Sequence, residues 1–139
     1  MRWTFLWYIG PFIIIFFVWG CGSEGPASPD DGQVVENPSY RQDIQPIFNR
    51  SCIVSACHNA ESTAAGLELT SYSKIMAGSD GGTFRVVIPG NAQDSELIKR
   101  LEGRSDRLSR QRMPLGGPYL SQSEVQTLRN WVDKGAQNN

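Results

Sequence analysis

Between Arg2 and Glu24 the chain carries no charge, and most of that interval is the apolar run from Trp3 to Trp19. A positive start followed by such a run is the layout of a secretory signal. At about 17 residues it lies at the lower edge of what can span a bilayer. Arg2 is expected to stay on the cytoplasmic side, which puts everything downstream outside the cytoplasm. The next stretch, GSEGPASPDDGQVVENPS, has almost nothing to bury and reads as a flexible linker spanning roughly 25 Å. The expected organisation is therefore a signal over 1–20, a linker over 21–39 and one domain over 40–139. A domain of about 100 residues buries a smaller share of its surface than a larger one does.

The domain reads as mostly α-helical. A first helix is expected from Ser39 to Arg50, with Ser39 as cap, Ile44, Ile47 and Phe48 on one face, and a kink at Pro46. A short one runs from Ser71 to Ala77 and stops at Gly78. FRVVIP, residues 84–89, looks extended and ends in a Pro89-Gly90 turn. Asp94 to Glu102 reads as a helix capped by Asp94 or Asn91, with Leu97, Ile98 and Leu101 facing inward. The clearest helix follows Ser121-x-x-Glu124, a capping box, with Val125, Leu128 and Val132 as its stripe and Trp131 at the edge. Gly135 ends it. Apolar side chains are thinly spread and the connections are long, which hints that something other than side chains fills the middle.

A net charge of -1 gives no support to nucleic-acid binding. The chemistry concentrates in RSCIVSACHNA, where Cys52, Cys57 and the only histidine, His58, fall within seven positions. Four chemistries compete for them. Zinc wants about four nitrogen or sulfur ligands, and a carboxylate would have to complete the set. A redox pair is usually Cys-x-x-Cys, shorter than the spacing here. A Cys52–Cys57 disulfide is natural for an exported chain but leaves the position of His58 unexplained. Covalent haem attachment uses all three residues: both thiols bond the ring's vinyl groups and the adjacent histidine ligates the iron. The usual motif is Cys-x-x-Cys-His, so Cys52-x-x-x-x-Cys57-His58 carries two extra residues that must bulge outward. Ser55 and Ala56 are small enough to allow it.

A haem iron bound by histidine commonly takes methionine opposite. Met113 is the candidate, because Pro114 biases it toward extended backbone and Gly116-Gly117-Pro118 excludes a helix. Met76 competes for the role but lies in a helical stretch and reads as packing. With both axial positions filled the iron would have no open site for a substrate, so catalysis is disfavoured.

From Tyr40 onward the chain resembles small single-haem bacterial cytochrome c domains, above all the planctomycete type. The matching pieces are DIQPIF, CIVSACH, GLELTSY, VVIPGNAQDSEL, RMPLGG and LSQSEVQTLRNWVDKGA, in that order. The resemblance implies a class I-like cytochrome c fold, with first and last helices crossing near one covalent haem c. It implies Cys52 and Cys57 as thioether sites, His58 as proximal ligand and Met113 as distal ligand. Val18-Trp19-Gly20-Cys21 resembles the lipobox of bacterial lipoproteins, which implies lipid on Cys21. The chain is then expected to be a membrane-anchored, periplasmic or cell-surface electron carrier, not an enzyme, passing electrons between redox protein partners. Two other readings stay open: a cofactor-free exported binding module with a Cys52–Cys57 disulfide, and a haem enzyme or sensor in which Met113 is displaced.

Lys99, Arg100, Arg104, Arg107, Arg110 and Arg112 crowd before Met113. They read either as an ordinary solvated loop or as partners for haem propionates and a basic rim that steers an acidic redox partner.

Overall fold

The computed structural model describes residues 32–107 and 111–139. The expected signal, the lipidation site Cys21, most of the expected linker and Arg110 lie outside the described residues. Among the described residues the chain is mostly helical, with four α-helices and no named strand: α1 Gln45–Ser51, α2 Tyr72–Ala77, α3 Glu96–Glu102 and α4 Gln122–Asp133. None is long and apolar enough to cross a membrane.

The first expected helix arrives in two pieces. A π-helical turn, Tyr40–Ile44, leads into α1, whose second residue is Pro46. A proline so close to a helix start lacks an N–H that would have had no partner within the helix, so α1 stays intact where a mid-helix proline would break it. Ser39 does not cap with its side chain; its hydroxyl donates to the Asn139 carbonyl at 2.9 Å. Asp43 compensates by accepting the Ser39 N–H at 2.7 Å. Ile44, Ile47 and Phe48 are fully buried, as their spacing requires.

The capping box of α4 is complete: Ser121 Oγ accepts the Glu124 N–H, and Glu124 Oε2 accepts the Ser121 N–H at 2.7 Å. Leu128 and Val132 are buried with Val125, and so is Trp131, which lies in the core rather than at its edge. Periodicity places an indole by its backbone position alone, whereas here neighbouring rings enclose it. Tyr40 sits 5.7 Å from the Trp131 ring and 5.2 Å from that of Tyr72, edge to face. The polar tips are satisfied as well, since Trp131 Nε1 donates to the Gln137 carbonyl and the Tyr72 hydroxyl to that of Ala136.

α2 and α3 hold the remaining core. α2 stops at Gly78 as expected, and Ile75 is buried. α3 starts after Ser95, one residue later than Asp94 and about a turn later than Asn91 would have capped it. The buried Ser95 hydroxyl is spent on the loop before it, donating to Asn91 and accepting the Ile88 N–H. The 84–89 stretch makes no strand, only an isolated bridge between Ser79 and Phe84. Its backbone polar groups find other partners: the Val86 carbonyl accepts the Leu97 N–H at 2.9 Å, at the start of α3. On the other face, Val35, in the stretch read as linker, lies along α4; it donates to Thr127 Oγ1 and accepts from Asn130 Nδ2.

Candidate functional site

α1 ends at Cys52, whose N–H still donates to the Phe48 carbonyl at 2.8 Å. The chain then loops and returns, so that the His58 N–H donates to the Cys52 carbonyl at 3.1 Å. Inside the loop the Cys57 N–H donates to Val54, and Ala56 takes the left-handed conformation at φ 61°. The loop thus turns at Ala56, one of the small residues of the spacer. Cys52 and Cys57 are both free thiols, so the disulfide of the alternative reading is not formed.

Backbone on the far side of the loop fixes the His58 ring. His58 Nδ1 lies 3.1 Å from the Leu67 carbonyl, and the Leu69 N–H donates to the His58 carbonyl at 3.0 Å. A carbonyl can only accept, so Nδ1 carries the proton and, in the neutral ring, Nε2 keeps the lone pair. That tautomer leaves Nε2 available to a metal, with the ring held by a backbone carbonyl.

Two adjoining cavities open here. One, of about 210 Å³, is lined by Cys52, His58 and Met113 together with Leu67, Leu69, Phe84, Val86, Leu97 and Leu101. The other, of about 460 Å³, shares Cys52, His58 and Met113 and adds Cys57, Val54, Leu115 and Tyr119. The second alone falls in the ~300–1,000 Å³ range of cofactor and small-molecule sites. Met76 lines neither cavity and packs against the core. Burial pushes the Cys52 thiol up to about 12, with Cys57 and Glu124 adding to it. Among the described residues no group of three or more His, Cys, Asp and Glu could hold a metal ion, which leaves the zinc reading without support.

These residues fit a haem. Two thiols, an imidazole with one nitrogen already engaged and a thioether border adjoining spaces whose remaining walls are mostly apolar. The donor set is the soft and borderline one that haem iron takes.

The basic run resolves into individual partners. Lys99 faces Asp94, Arg104 pairs with Glu102, and Arg100 Nε donates to Glu96 at 2.7 Å. Glu96 is buried at the first cavity and also accepts from Ser105 Oγ at 2.6 Å. The Arg107 guanidinium stands 3.8 Å over the Phe84 ring at the same cavity. Arg112 Nε donates to the Leu101 carbonyl, and its guanidinium lies over Tyr119. Lys99, Arg100 and Arg104 are thus paired with carboxylates, whereas Arg107 and Arg112 lie over rings. Sequence reasoning missed Glu96, although its spacing of four from Arg100 on one helix was a readable signal.

Residues 54–114 match the family model of Planctomycete cytochrome C, a stretch that begins two residues after Cys52 and includes Cys57, His58 and Met113. The match supports a cytochrome-c-like domain and, in general terms, an electron-transfer role. No curated protein and no solved structure matches the chain.

Proposed function

We propose that this chain is a single-haem c-type cytochrome that carries electrons outside the cytoplasm, tethered to a membrane by lipid on Cys21. The observation that carries the reading is the convergence of Cys52, Cys57, His58 and Met113 on two adjoining, largely apolar cavities. Cys52 and Cys57 would hold the group by adding each S–H across a vinyl double bond. His58 would offer Nε2 from a ring fixed at Leu67, and Met113 its thioether. When bound, haem supplies an iron that gains and loses one electron, at a potential that methionine ligation raises. The chain itself excludes water with Leu67, Leu69, Phe84 and Leu97. Because His58 and Met113 would both serve as ligands from the chain itself, no position would be left for a substrate, which supports a carrier rather than an enzyme.

The mouth of the second cavity presents the exposed side chains of Val54, Leu115 and Tyr119. Arg50 also lines it, with Glu124 as partner. A redox protein with an apolar contact patch would meet the site there. The lipid on Cys21 and a periplasmic or cell-surface location rest on the Arg2-to-Cys21 pattern.

The test is the mass of the mature full chain purified from cells with a cytochrome c maturation system. One covalent haem, retained through acid-acetone extraction, is expected, together with a diacyl-glyceryl adduct on Cys21. A chain that remains free of covalent haem in those cells overturns the reading.

A further inference from the structure

Arg112 immediately precedes the proposed distal ligand and reaches both α3 and the loop that follows Met113. Its Nε donates to the Leu101 carbonyl at 2.7 Å, in the last turn of α3. Its guanidinium carbon lies 4.2 Å from the centroid of Tyr119, at the far end of the Met113 loop. Its stem packs at Gly103, where an added Cβ would meet Arg112 Cδ at 3.3 Å. Next to it the Met113 N–H donates to the Arg100 carbonyl at 3.0 Å. Between Met113 and Tyr119 the loop runs through exposed Leu115 and a turn in which Gly117 N–H donates to Pro114. One side chain therefore ties the end of α3 to both ends of the loop that carries the thioether.

We infer that Arg112 is a positioning residue: it holds Met113 over the cavity shared with His58 and so sets how firmly the thioether competes with outside ligands for the iron. This rests on the reading of Met113 as distal ligand. A planar guanidinium can donate to a carbonyl and stack on a ring at the same time, whereas a lysine ammonium can only do the first well. The α3 carbonyl it meets also carries the partial negative charge of a helix end.

The probe is imidazole, titrated into the ferric holoprotein and followed by the shift of the main haem absorption band, which reports binding with or without Met113. Arg112→Ala should bind imidazole roughly ten- to a hundredfold more tightly than the parent, the scale of losing a charge-assisted hydrogen bond and a cation–π contact. Arg112→Lys should fall between the two. In a Met113→Ala background, adding Arg112→Ala should change imidazole affinity by less than about twofold, because no thioether is left to position. Unchanged affinity in the single variant, or an equal rise in both backgrounds, overturns the inference. If Arg112→Ala yields no holoprotein, the lysine variant decides by the same criteria. A parent protein without covalent haem would instead remove the proposed function.

Discussion

Gly78 offers the sharpest quantitative check on the fold. It ends α2 at φ 84° and ψ -158°, a region that is essentially glycine's own. A Cβ there would stand 2.1 Å from the Phe84 carbonyl oxygen and 3.1 Å from Arg85 Cα, both backbone. Neither can rotate away, so Gly78→Ala has to displace the 78–85 segment. Backbone strain of about 1–3 kcal/mol adds to an overpacking cost of about 1–3 kcal/mol. The expected loss is about 2–6 kcal/mol, or a fall in Tm of about 10–50 °C for a domain of this size. Gly90 provides the control: its φ is 79°, yet nothing lies within 4 Å of its Cβ position. Gly90→Ala should therefore cost only about 1–2 kcal/mol, from conformation alone. Urea and thermal unfolding of both variants, followed by far-UV circular dichroism, measure the difference. Equal losses within about 0.5 kcal/mol would refute the close approach of Gly78 to Phe84. Phe84 also lines the first cavity beneath Arg107, so the same substitution should disturb the site.

His58→Ala removes both Nε2 and the bond to Leu67, and should lower the covalently loaded fraction by about tenfold or more. The mass spectrum of the purified chain reports it, and a fully loaded variant with the parent's absorption spectrum would exclude His58 as ligand. Alkaline unfolding should bear the mark of Tyr40, whose phenol is pushed up to about 12 by burial and then by Tyr72. Its neutral form is favoured in the fold, so its contribution, ~2 kcal/mol at most, is complete below pH 10 and lost as pH rises toward 12. Urea midpoints from pH 9 to 12 should fall less steeply in Tyr40→Phe than in the parent, and parallel curves would count against the assignment.

Much of the helical frame was legible because it is written in local signals. Ser121 and Glu124 announce α4 by a bond each makes to the other's backbone, three residues apart. Gly78 and Gly103 stop α2 and α3 where a left-handed or extended turn is needed. What escaped was decided by distant partners. Ser39 could cap, but Asn139 takes its hydroxyl. Trp131 reads as an edge residue because nothing near it in sequence tells of Tyr40. Residues 84–89 have a strand's composition but, among the described residues, no strand to pair with. The candidate site divides the same way. Cys52, Cys57 and His58 are neighbours along the chain, and Met113 was singled out by its loop residues. The Leu67 carbonyl could not be foreseen, since a backbone path leaves no mark on residue type. The arginine run was legible as charge but not as separate contacts, because each guanidinium's partner depends on how α3 and the loop after it are folded together.

The tie between His58 and the 67–69 backbone has a bearing on speed. An electron hops fastest between centres whose surroundings hardly rearrange as charge arrives and departs. An imidazole hung on a mobile side chain would swing with every change of oxidation state. This one is clasped by main chain at ring and carbonyl alike, by Leu67 on one side and Leu69 on the other. A metal bound to it would feel a mount that stays put, and the barrier to each transfer would be correspondingly low.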